Sequence, residues 1–165
     1  RRISDFLQSY DYLTEGTTGV FEQLTDESLD RPVAPGYRTL GDIAWHIVVT
    51  IPEMMGRTGL ELSAADQDAM PPTSAQEIRD GYAEASAELR KAVEAEWSDE
   101  TLLETDEMYG ERWPRGVSLT SLIHHEIHHR GQMTVLLRQA GAAVPGVYGP
   151  SKEEWGQYGE EPPAY

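Results

Sequence analysis

Four imidazoles on one predicted helix constrain this chain more than any other feature. The stretch HHEIHHRGQ, His124 to Gln132, holds four of the five histidines. It opens a longer run, HHEIHHRGQMTVLLRQAG, with apolar residues at helical spacing. On a helix, residues four apart sit one turn up and about 40° round, with Cβ atoms about 5–6 Å apart. His125 and His129 therefore share one direction. His124 and His128 share another, about 100° away. Only one pair can face a core. Leu122, His125, His129, Gln132 and Leu136 form a stripe, which favours His125 and His129 as the inward pair without fixing the choice.

The fifth histidine, His46, lies between Ile43 and Ile47 on the apolar face of a second predicted helix. A buried neutral imidazole needs a hydrogen-bond partner or a metal ion. Three imidazoles converging from two helices are how bundle cores build metal sites, and a three-His set leaves coordination positions open. The string also contains H-E-x-x-H, whose Glu activates water in zinc peptidases. The longer peptidase form needs Gly and His where this chain has Gln132 and Val135, and the downstream acids Glu153 and Glu154 lie in a loop-like tail. Peptidase activity is not expected. Glu126 is expected to be a surface or ion-paired acid near Arg130.

The remaining pattern predicts helices and loops. Ile3, Phe6, Leu7, Tyr10, Leu13, Val20, Phe21 and Leu24 mark a first helix, in which Gly16 and Gly19 each cost about 1 kcal/mol relative to Ala. DRPVAPGYR is a loop. Thr39 with Asp42 caps the second helix, which Pro52 should kink or end. SAADQDAMPPTS is a linker. Ser74 with Glu77 opens a third helix that stops near Trp97, and the fourth runs from Ser118 or Thr120 to a glycine cap at Gly141. SDETLLETDEMYGERWPRGVS is mixed, either a short extended piece or a loop over the bundle end. With no convincing sheet, the expected class is all-α: a four-helix bundle in one domain over 1–165, in up-down-up-down order. The Pro/Gly-rich tail, 142–165, is expected to pack on the body or on a partner through Val147, Tyr148 and Trp155.

Charge and cysteine content narrow the function classes. A formal charge of −16 argues against nucleic acid and anionic membranes as partners. No run approaches the roughly 18 apolar residues of a membrane span. RRISDFLQSY follows its basic residues with polar and acidic ones, unlike a signal peptide, so the expected location is cytoplasmic. The chain has no cysteine, so any thiol chemistry needs a thiol from outside. A three-His ion can lower the pKa of water or hold a thiol as thiolate.

GDIAWHI, followed far downstream by HHEIHHRGQMTVLLRQAG, resembles the DinB/YfiT-like superfamily of metal-binding four-helix bundles. The tail VPGVYGPSKEEW is similar to tails in one branch of it. The resemblance implies a divalent metal ion, usually zinc or nickel, held by His46, His125 and His129. It also implies homodimers, and thiol-dependent transferases or isomerases using bacillithiol or mycothiol on small-molecule substrates. The expectation is a metal-dependent thiol S-transferase acting on small electrophiles. The alternative is a non-catalytic metal-binding or stress-response protein. Gln132, Arg130, Tyr109 and Trp113 are the substrate-pocket candidates.

Overall fold

A computed structural model describes residues 2–66 and 68–164. Arg1, Gln67 and Tyr165 fall in the expected N-terminal segment, linker and tail, and lie outside the described residues. Four helices carry the structure: α1 (Ile3–Phe21), α2 (Leu40–Gly56), α3 (Ala75–Glu96) and α4 (Arg115–Gln139). Their caps follow local chemistry. Thr39 Oγ1 accepts from Asp42 N–H, and Thr39 N–H donates to the Asp42 carboxylate in return. At α3, Ser74 accepts from Glu77 N–H, while Ala75 N–H donates to Asp26 across the loop. Gly141, at φ +85°, closes α4. Its N–H reaches Arg138 O and that of Ala142 reaches Leu137 O, the paired bonds of a left-handed glycine cap.

Pro52 does not end α2, which continues to Gly56. The structure departs from the expected pattern in three places. α1 ends at Phe21, and Leu24 is buried from the following loop instead. The mixed segment after α3 is an antiparallel hairpin, β1 (Thr105–Met108) with β2 (Glu111–Pro114). Its two-residue turn, Tyr109-Gly110, has φ +56° and +86°, the pair of left-handed residues that matches strand twist. A tyrosine in place of the usual Asn or Asp hid that turn. Because β2 feeds straight into α4, the helix starts at Arg115 rather than at Ser118 or Thr120.

The bundle order also differs. α2 packs on α3 and α4, and α1 packs on α3 and α4. Helices consecutive in sequence, α1 with α2 and α3 with α4, thus stand across the diagonals. The long loop before α2 and the hairpin before α4 provide the length for these crossings. Tyr10, Leu13, Phe21, Ile43, Ile47, Ile51, Ile78, Tyr82 and Leu89 fill the centre. The segment after α4 lies along α1 and α4. Tyr12 OH donates to Val147 O (2.8 Å), and Glu154 accepts from the N–H groups of Gly146 and Ser151.

This contact explains one of the two glycines in α1. A Cβ at Gly16 would stand 2.7 Å from Val147 Cγ1, whereas one at Gly19 meets Pro145 at an ordinary 3.6 Å. Gly19→Ala should therefore raise stability by about 0.5–1 kcal/mol through helix propensity. Gly16→Ala should lower it by about 1–3 kcal/mol through overpacking. Urea denaturation of the two variants checks this, and shifts of the same sign would refute it.

Candidate metal centre

The packed pair α2 and α4 brings three imidazoles together. One ring nitrogen each from His46, His125 and His129 can be chosen so that all lie within 4.8 Å of one another. His46 Nε2 and His125 Nε2 are 3.0 Å apart, and the ring centroids are 4.4–4.8 Å apart. Two nitrogens bound tetrahedrally to a zinc-like ion stand about 3.3 Å apart. The cluster is thus compatible with a divalent cation after small rotations. His129 Nδ1 donates to Gln132 Oε1 (2.7 Å), which leaves its Nε2 lone pair free. All three rings are half-buried, while His124 and His128 are exposed on α4.

Burial disfavours the charged imidazolium here. His46 and His125 are pulled down to about 4, first by burial, then by the neighbouring His129 ring and by further charges that include Arg38. Burial lowers His129 as well. The cluster is neutral at pH 7 and presents lone pairs, as cation binding requires.

The pocket candidates separate. Gln132 sits beside His129. Tyr109 reaches α2, where its OH donates to Glu53 Oε2 (2.7 Å), and its ring lies 5.9 Å from that of Trp113. Glu53 is two helical turns beyond His46, is also bound by Arg57, and its charge is felt at His46. Sequence reasoning missed Glu53, which nothing but tertiary contact singles out.

Arg130 is not brought to the cluster. It is 2% exposed and donates through Nη1 to Leu13 O and Thr17 Oγ1 (both 3.0 Å), with Tyr148 over its guanidinium. Nor is Glu126 a surface acid or an ion-pair partner: it is 1% exposed, at the bundle centre. Its Oε1 accepts from Thr17 Oγ1 (2.6 Å) and Tyr82 OH (2.7 Å). Arg130 already supplies a hydrogen to Leu13 O, so the single Thr17 hydroxyl proton is free for Glu126. Thr17 then links guanidinium to carboxylate. Burial pushes Glu126 above the usual carboxylate range, against the hydrogen bonds from Thr17 and Tyr82 and the Arg130 charge. A carboxylate bound to α1 and α3 cannot serve as the water-activating Glu of a peptidase centred on α2 and α4. A sequence signal did exist. Leu122, Glu126, Arg130, Met133 and Leu137 recur at i+4, i+4, i+3 and i+4, the spacing of a buried stripe.

Comparison with known proteins places these features in context. A family model described as DinB family matches residues 3–162. The Bacillus subtilis (strain 168) protein YrdA, described as uncharacterized, is 45% identical over 161 residues, which is 98% of this chain and 96% of that one. A crystal structure of a DinB-like protein from Bacillus cereus ATCC 10987 is 47% identical, with a TM-score of 0.87 over 90% of this chain and 99% of that one. A second, the DinB-like YjoA of Bacillus subtilis, is 14% identical with a TM-score of 0.69, over 87% and 97%. At that identity the likeness shows the fold alone.

The lowered imidazoles give a pH signature in metal-free protein. An unfolded histidine takes up its proton at about pH 6.5, while His46 and His125 hold out to about 4. As pH falls through that window these two histidines bind more protons in the unfolded state, so their contribution to stability declines; above the window that contribution is constant. His125→Gln should show a shallower decline than wild type in urea midpoints measured across the window. Equal slopes would show that His125 titrates normally.

Proposed function

Because the chain belongs to the DinB family, we propose that it binds a divalent metal ion, zinc or nickel, through His46, His125 and His129, and uses it to transfer a low-molecular-weight thiol to small electrophiles. The observation that carries this reading is the convergence of three neutral imidazoles, from two helices, within 4.8 Å. Three nitrogen ligands leave room for an exchangeable group, unlike a closed four-ligand structural site. A bound divalent cation would supply Lewis acidity, lowering the pKa of a thiol or of water. The chain has no cysteine to act as nucleophile, so the thiol arrives as cosubstrate.

The protein's own residues then have distinct tasks. His46 and His125 offer facing Nε2 atoms. Gln132 fixes the His129 ring and its tautomer. Tyr109, bound to Glu53 two helical turns beyond His46 and packed on Trp113, would line the substrate pocket together with it. In the transfer, the sulfur–carbon bond forms as the electrophile's leaving group departs, and the thiol proton goes to solvent. Assembly as a homodimer belongs to the same proposal.

Two measurements test it. Elemental analysis should find metal in wild type, His124→Ala and His128→Ala, and at least a tenfold loss in His46→Ala; equal content in His46→Ala would refute the two-helix site. Bacillithiol, mycothiol, glutathione and coenzyme A, each assayed with a generic electrophile, should give a metal-dependent rate with at least one. No such rate with any of the four would leave metal binding without the transferase.

A further inference from the structure

Arg38 stands apart from the other described arginines of this acidic chain. Every other described arginine donates a side-chain hydrogen bond to the protein: Arg2, Arg57, Arg90, Arg115 and Arg138 to carboxylates, and Arg31, Arg79, Arg112 and Arg130 to carbonyl or hydroxyl oxygens among others. Arg38 makes none to a described residue, although acids outnumber Lys and Arg by 29 to 13.

Its backbone, by contrast, is held. Val33 N–H donates to Arg38 O (2.9 Å), Pro32 and Thr39 form an antiparallel bridge, and Leu40 N–H donates to Arg31 O (2.8 Å). Gly36, at φ +78°, makes the bend. The next residue, Thr39, is the cap of α2, and His46 lies two turns further, about 10 Å along the axis. An arginine side chain extended over the first turns of α2 covers much of that distance. The Arg38 charge is felt at His46, His125 and His129 alike, and thus at the cluster as a whole. The carboxylate that is also felt at His46, Glu53, is already bound by Arg57 and Tyr109. An incoming anion therefore finds, on a fixed mount about two helical turns from His46, a cation with no side-chain hydrogen bond to a described residue, in a protein whose net charge otherwise repels it.

We infer that Arg38 is a specificity-determining residue of the three-imidazole site, and that it selects small molecules bearing a carboxylate a few ångströms from the atom that seeks the metal. The planar guanidinium matches a carboxylate with two parallel N–H donors. This inference rests on the metal-site reading above and deepens it: the thiol or the electrophile is an anion.

The test uses cobalt(II)-loaded protein and two matched pairs of ligands, read by the change in the cobalt absorption spectrum. One pair is 3-mercaptopropionate and 2-mercaptoethanol; the other is 4-imidazoleacetate and 4-methylimidazole. Wild type should bind the anionic member of each pair about fivefold to tenfold more tightly than Arg38→Gln does, and the neutral members equally. Arg38→Lys should retain part of the preference, and raising salt should erode it in wild type. Equal cobalt content in wild type and both variants shows that the site itself is intact. If neither thiol binds but 4-imidazoleacetate is still favoured by wild type alone, Arg38 keeps its role and the thiol reading fails. If thiols bind and Arg38→Gln discriminates as wild type does, the Arg38 inference is overturned and the thiol reading stands. Failure of cobalt to load wild type overturns both.

Discussion

The Glu126 carboxylate, held by Thr17 and Tyr82 at the centre of the bundle, sets the rotation of α4. On a helix each residue turns about 100°, so pinning one position fixes the direction of all the others. With Glu126 turned to α1 and α3, His125 and His129 fall on the flank that meets α2, and His124 and His128 point outward. Arg130 falls on the other flank, against α1 and the tail. A buried acid is costly unless it is satisfied, and one with two short hydrogen bonds tolerates little rotation or sliding of its helix. The histidines therefore inherit their direction from a carboxylate that is hydrogen-bonded to Thr17 and Tyr82 rather than to any of them.

The diagonal arrangement of the helices gives that pin its reach. Tyr82 comes from α3, across the bundle from α4, and Thr17 from α1 at its side. Burial and the Glu126 charge raise Tyr82 well above its ordinary value, so it remains a hydrogen-bond donor throughout the neutral range. Phe21 stacks on Tyr82 at 4.7 Å and keeps water from the same face. The polar contact thus sits inside an apolar frame: Glu126 Oε1 takes both hydrogen bonds, while its Oε2 is buried with no hydrogen-bond partner among the described residues.

At the side of the three histidines, the long connections meet α2. The loop before α2 carries Arg38 and caps the helix through Thr39, and the hairpin before α4 brings Tyr109 to Glu53. Tyr109 adopts a left-handed backbone that a bulky residue seldom takes, and its side chain is held by Glu53 and by the Arg57 guanidinium 4.7 Å from its ring. These segments carry no helical periodicity, yet they hold α2 near both of its ends.

Much of the protein was legible in the order of its residues. Local capping chemistry located the starts of α2 and α3 and the glycine end of α4. Helical spacing favoured His125 and His129 without fixing the choice, and the apolar neighbours of His46 marked it as an inward imidazole. These features depend on residues within a few turns of one another, which sequence displays directly. Glu126 was misplaced because charge was read as a surface signal, and Arg130, a pocket candidate, lies buried against α1 instead. Their i, i+4 spacing from Leu122 was visible, but only the hydroxyls of Thr17 and Tyr82, 109 and 44 residues away, make burial affordable. The hairpin, the diagonal order of the helices and an Arg38 without a side-chain hydrogen bond to any described residue were likewise decided by tertiary structure. Each depends on which distant groups meet, and no local pattern encodes a meeting between segments separated by loops of that length.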